Sequence, residues 1–289
     1  MIIRVGIQPR PERNLPGTMT VCIVSKTRDD GFVVVMDAML TVTYDAGAEL
    51  AGDARLVKSW ILDGGWHALA AGDMAMAEAV MLRAEEEIYS QKRQDRLTRA
   101  EIERIIETAY REQRSAEVAQ RILMPRRVSW DEFKEGISRG RFRRLEREVV
   151  KYNLGVELII LGVDGRFLQH LFWVGNPGVL ESRDMCGYWA IGSGSQFALN
   201  ALQTGPSPPL LPRDIVIYRL CEAKFHAECD RCVGRVTTII LVDSVGGWSF
   251  IPTSSVDRLR SLQRLRFTNP IPAEAIEIIR QEVSQHRTL

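Results

Sequence analysis

The sequence predicts an α+β fold in which antiparallel sheets are covered by helices. Three features carry this. The strand candidates come as hairpins, the helices come in blocks, and several strands are apolar at consecutive positions. Blocks of each type argue against alternating βα units. Unbroken apolar runs argue for sheets covered on both faces.

Residues 1–19 hold Pro9, Pro11 and Pro16 with charges between them, and read as an irregular leader or a start assigned too early. Residues 20–289 read as one domain. Val21–Val24 and Phe32–Met36 are β-branched runs flanking KTRDDG, a hairpin with Asp30-Gly31 as turn chemistry. Residues 55–62 and 66–70 are the next strand candidates, joined through Gly64-Gly65. Residues 73–88 change to helix-forming composition. Thr98 and Glu101 match a capping box, with Ile102, Ile105, Ile106 and Ala109 at helical spacing before a stop at Pro125. Ser129 and Glu132 repeat the pattern, and residues 142–152 make a third helical stretch. The helical segment 86–150 reads as an insert.

Strands resume at 156–163 and 167–174 around Asp164-Gly165, with a short one at 188–191. A helix begins near Gln196, a proline-rich loop spans 205–212, and residues 214–229 read as another helix. A last hairpin, 236–242 with 248–251, precedes a helix at 272–283.

Composition narrows the function classes. The 289 residues are 45% hydrophobic and 26% charged, with a net charge of +1, so no global field points to nucleic acid or a membrane surface. No stretch approaches the roughly 20 apolar residues of a membrane helix, and the leader lacks the apolar core of a signal peptide. A cytoplasmic location is expected. Five cysteines do not make a disulfide scaffold. Cys229 and Cys232 form a CxxC near Cys221 and His226, but without a second CxxC buried free thiols are expected, and neither a metal nor a cofactor. The arginines of 139–147, balanced by Glu146 and Glu148, read as a solvated helix face. Gly192-Ser193-Gly194 before a helix fits a dinucleotide fingerprint, but its hairpin surroundings argue against a βαβ unit.

The run MTVCIV, the Asp37 ending the second strand, and Ala190-Ile191-Gly192-Ser193-Gly194-Ser195 with the following Ala198-Leu199 resemble proteasome β subunits and their bacterial relatives, over residues 18–85 and 154–245. The resemblance implies the N-terminal-nucleophile hydrolase fold, a four-layer αββα sandwich of two antiparallel sheets between helical layers. It implies a threonine at the mature N-terminus as nucleophile, with Thr20 favoured and Thr18 the alternative. Asp37 matches the family's strand aspartate and Thr41 its substrate-backbone threonine. Lys58, fourteen residues before Gly72, matches its lysine, and Gly72 the donor of a backbone N–H to the oxyanion. Ser193 and Asp230 match its later serine and aspartate. Two positions depart from the family. Met39 stands where many members carry arginine, and Val233 where core-particle subunits carry serine. Met39, Ala70 and Met74 are expected to line an apolar specificity pocket.

These residue types suit acyl transfer. A threonine hydroxyl needs a base beside it, and a free N-terminal threonine carries one, since an α-amine has an ordinary pKa near 7.7–8.0. Lysine beside the hydroxyl favours the alkoxide, and an aspartate orients the lysine. The expected activity is threonine-type hydrolysis of peptide bonds through an acyl-enzyme. Two alternatives stand: an inactive assembly subunit, and an amidase for non-peptide substrates. The expected partners are a peptide or protein substrate and further copies of the chain in a ring or spiral. An ATP-dependent unfoldase is not readable.

Overall fold

The computed structural model describes residues 20–28, 31–37, 39–43, 49–53, 58–62, 65–91, 96–140, 142–263 and 271–285. The leader, including Thr18, lies outside them. β1 (Cys22–Lys26) and β2 (Gly31–Asp37) form the expected hairpin, in register from Cys22↔Met36 to Lys26↔Phe32. The sequence reading omits the next pair, β3 (Met39–Thr43) and β4 (Glu49–Asp53). β5 (Ser59–Ile61) and β6 (Trp66–Gly72) follow.

Helix starts follow the capping signals. Asp73 caps α1 (Met74–Ser90) by accepting from the Ala75 and Met76 N–H groups at 3.0 and 3.2 Å. Thr98 and Glu101 close their capping box at α2 (Arg99–Val118). The chain stays helical through Pro125, correcting the expected stop. A π-helical turn covers 119–123, and a 3₁₀ turn at 124–126 takes Pro125 into its first positions, where a missing N–H breaks no bond. Ser129 and Glu132 cap α3 (Trp130–Ser138), and α4 (Arg143–Lys151) follows.

β7 (Val156–Val163) and β8 (Gln169–Gly175) form the second long hairpin. β8 starts later than expected, because Phe167 takes a left-handed φ of 63° in the turn. β9 (Val179–Ser182) is an unpredicted edge strand. β10 (Tyr188–Ile191), α5 (Ser195–Gln203), α6 (Arg213–Ala227), β11 (Thr237–Asp243) and β12 (Trp248–Ile251) match their signals. α7 (Thr253–Gln263) was not predicted, and α8 (Ala273–Gln285) was.

The strands build two five-stranded antiparallel sheets, ordered β10-β1-β2-β11-β12 and β5-β6-β7-β8-β9, besides the small β3–β4 pair. Three buried clusters explain why long strands are apolar on both faces. Cys22, Val24, Phe32, Val34 and Met36 of the first sheet meet Leu69, Ile159, Leu161 and Leu171 of the second. The other face of the first sheet (Val21, Ile23, Val33, Val35) packs on residues of α5–α8. The other face of the second (Ala68, Ala70, Leu158, Ile160) packs on α1 and α2. At roughly 25 cal/mol per Å² of apolar surface buried, these three interfaces are the main stabilising term. Among the described residues, no helix is long and apolar enough to cross a membrane.

Register places one group of strand ends together. Asp37 ends β2 opposite Thr237, Ile191 ends β10 opposite Cys22, and Gly72 ends β6 opposite Val156. Contacts joining the sheets at this end include Cys22 Sγ to the Ala70 carbonyl at 3.7 Å and the Gly192 N–H to Glu157 Oε2 at 3.0 Å.

Candidate active site

Thr20 lies just before β1, and Asp37 stands on the neighbouring strand. Lys58 comes from the turn before β5, its backbone fixed by Ala70 N–H donating to its carbonyl at 2.9 Å. All three side chains are buried, at 3%, 1% and 3% exposure. The Thr20 hydroxyl donates to Asp37 Oδ1 at 2.6 Å. Lys58 Nζ donates to Thr20 Oγ1, to Asp37 Oδ1 at 2.8 Å and to the Asp37 carbonyl at 3.3 Å. The Val21 N–H also reaches Asp37 Oδ1, at 3.1 Å. One hydroxyl is therefore held between an ammonium and a carboxylate, where a buried ion pair needs every such bond to offset its desolvation.

The Thr20 carbonyl is fixed from β10 and the turn after it. Gly194 N–H donates to it at 3.3 Å and the Ser193 hydroxyl at 3.4 Å. Gly192 has φ of 92°, and a Cβ there would lie 2.3 Å from that carbonyl oxygen. The position therefore demands glycine. Gly72 is held the same way, with φ of 112° and the Gly155 carbonyl 2.1 Å from where a Cβ would stand.

The Cys22 thiol, two residues along β1, is fully buried. Burial pushes its pKa up to about 12, with the Lys58 charge pulling back only in part. It stays a neutral thiol near pH 7, a poor nucleophile beside the hydroxyl.

The structure thus brings Thr20, Asp37, Lys58 and Ser193 into contact and puts Gly72 at the same end of the sheets. Asp230 sits differently. Among the described residues its bonds are local: its carboxylate accepts from Cys232 N–H at 2.9 Å, its carbonyl from Val233 N–H at 3.0 Å, and its N–H donates to the Ala227 carbonyl at the end of α6 at 3.0 Å. Thr41 lies in β3, and its side chain, like that of Met39, is outside the described residues. Ala70 is buried in the cluster with α1 and α2, and Met74 packs against it, so neither lines the space between the sheets. Cys221 is buried as expected, whereas Cys229 is exposed and Cys232 half-buried. In the arginine-rich segment 139–147, Arg139 pairs at the surface with Glu135 and Arg144 with Glu148.

Two contributors were missed. Gly234 N–H donates to Asp37 Oδ2 at 2.9 Å. Glu157 anchors Gly192 across the sheets. The first is a backbone contact with no side-chain signature. The second had a faint signal, an acidic residue interrupting an apolar strand. Val233, the departure from serine, is buried in the helical cluster, with Cγ2 2.5 Å from where a Cβ on Gly194 would stand.

No protein-family model and no curated protein matches the sequence. Among solved structures, the fold is similar to that of the Anbu (Gly-1) mutant from Hyphomicrobium sp. strain MC1, with a TM-score of 0.56 and 12% identity over 93% of this chain and 95% of that one. That neighbour is a bacterial proteasome-like protein of the N-terminal-nucleophile hydrolase fold. At this identity the likeness establishes a proteasome-like fold.

Proposed function

We propose that the chain is a threonine-type hydrolase of amide bonds, with Thr20 as nucleophile once its amine is free. One observation carries the reading: the buried Thr20 hydroxyl sits between Lys58 Nζ and Asp37 Oδ1. A strand threonine present only for its β-propensity needs neither partner.

Attack by Oγ1 on the substrate carbonyl carbon forms a C–O bond and passes the hydroxyl proton to the Thr20 amine. Lys58 lowers the cost of charge on Oγ1, and Asp37 holds Lys58 in place. The Gly72 N–H faces the oxyanion, a contact worth roughly 2.7–4 kcal/mol in comparable sites. Collapse breaks the C–N bond, and the leaving amine takes the proton from the ammonium. Water then attacks the Thr20 ester, with the same amine as base. Met19 blocks that amine in the full chain, so the reading requires residues 1–19 to be removed or never made.

The three buried clusters support a four-layer αββα arrangement, and the fold likeness supports assembly of copies into a ring or spiral. Substrates are peptides or proteins, encountered in the cytoplasm. The buried apolar Val233, in place of a serine hydroxyl near the amine, favours a second reading as an inactive assembly subunit.

The test is hydrolysis of fluorogenic peptide amides by purified protein, alongside labelling by a threonine-directed electrophile. Turnover and labelling that both vanish in Thr20→Ala support the hydrolase. No turnover and no labelling by wild-type protein of verified fold supports the assembly subunit.

A further inference from the structure

Lys224, on α6, is fully buried, and the chemistry above does not use it. It pairs with Glu228 one helical turn on. Its Nζ also donates to the Gly234 carbonyl at 2.6 Å and the Arg235 carbonyl at 3.2 Å. Arg260 of α7 takes the other Glu228 oxygen and donates to the Arg235 carbonyl at 2.7 Å. Burial pulls the Lys224 pKa down, and Glu228 offsets this only in part. A lysine kept only for an ion pair would be satisfied by Glu228. This one also grips the backbone on the C-terminal side of Gly234, while the N–H on the other side of the same residue goes to Asp37 Oδ2. The hinge between those two peptide planes is a glycine, the residue with the widest backbone freedom. Something must fix it if its N–H is to keep one direction.

We propose that Lys224 is a positioning residue for Asp37. It locks the Gly234 hinge so that one N–H occupies Asp37 Oδ2, which leaves Oδ1 aimed at Thr20 and Lys58. The inference rests on the hydrolase reading for its consequence in activity, and on geometry alone for its consequence in the loop.

The test compares wild-type protein with Lys224→Met and Lys224→Arg. Glu228 keeps Arg260 in both variants, so no carboxylate is orphaned. Hydrogen exchange of the 233–236 amides, read by mass spectrometry, is expected to quicken tenfold or more in Lys224→Met. The rate of Thr20 labelling and kcat should fall about ten- to hundredfold with KM within twofold, as for loss of one charge-assisted bond. Lys224→Arg should recover most of both. Lys224→Gln, judged by the same criteria, replaces the methionine variant if that does not fold. Labelled wild-type protein with equal labelling in the variant, or unchanged exchange at 233–236, overturns the proposal. Wild-type protein that is never labelled counts against the hydrolase reading, and the exchange result still decides the hold on Gly234.

Discussion

The two ends of the sheet pair each bury a charged network, and only one leaves a reactive atom in it. At the far end, His170 stands between Asp184 and Asp164, 3.2 Å from each, in a cluster of near-parallel rings with Trp66 and Phe172. Lys26 and Arg99 complete the shell around Asp184, whose Oδ1 also accepts from Leu171 N–H at 2.8 Å. Burial pushes the Asp184 carboxyl up, but the bonds from His170, Lys26 and Leu171 outweigh it and hold it well below the ordinary range. Asp164 is lowered likewise, its burial outweighed by bonds from Leu168, His170 and Arg166. Every group there meets a partner of opposite charge or a backbone donor. At the other end the ion pair of Lys58 and Asp37 closes on a neutral hydroxyl. Buried charge alone marks a staple as readily as a catalytic centre. The atom on which the network ends tells them apart.

The contrast can be broken most severely at the site. Asp37→Asn leaves Lys58 buried with only neutral partners. We expect labelling of Thr20 to fall at least about a hundredfold and stability to drop by roughly 3–5 kcal/mol, read by urea titration. Labelling within threefold of wild type would place the chemistry elsewhere. Gly192→Ala should come next. Its Cβ collides with the Thr20 carbonyl, so labelling should slow about tenfold, with roughly 1–3 kcal/mol of strain. Unchanged kinetics would show that the hold on this carbonyl is irrelevant to reactivity.

Asp184→Asn should invert the pattern, costing roughly 1.5–3 kcal/mol while labelling at a permissive temperature stays as in wild type. Its pH dependence has a definite sign. A depressed carboxyl contributes stability that is complete above the ordinary carboxylate range, about pH 4, and is lost as pH falls through the folded value. The wild-type melting temperature should therefore fall more steeply below pH 4 than that of Asp184→Asn. Parallel melting curves would contradict the assignment. The smallest effect is expected at the surface. Arg139→Ala removes an exposed contact of 3.9 Å with Glu135, and should change stability by less than about 0.5 kcal/mol.

What the sequence made legible was local. Capping boxes at Thr98 and Ser129 and the turn at Asp164 involve neighbours in the chain; both boxes stand as expected, and the turn forms at Asp164 but runs on through Phe167. β4 was not visible because ELAGD carries weak β-propensity, whereas MLTVT of β3, its pairing partner, did carry a β-branched signal. β9 is four residues on an edge, tied by Leu180 N–H to Glu107 of α2 at 2.9 Å, a link no local pattern announces. α7 did leave a trace in Val256 and Leu259 three apart, both now buried. At the site, Asp37, Lys58 and Ser193 could be picked only through the family resemblance, because sheet pairing and a long-range turn assemble them. Gly234 and Lys224 act through backbone, so no residue type could single them out.

The central claim is that Thr20 acts with its own free amine, and N-terminal sequencing of active protein, joined to mapping of the electrophile adduct, tests it most directly. The account predicts a chain beginning at Thr20 with a single adduct on that residue. Active protein that retains the Met19–Thr20 peptide bond, or carries its adduct on another residue, would contradict it.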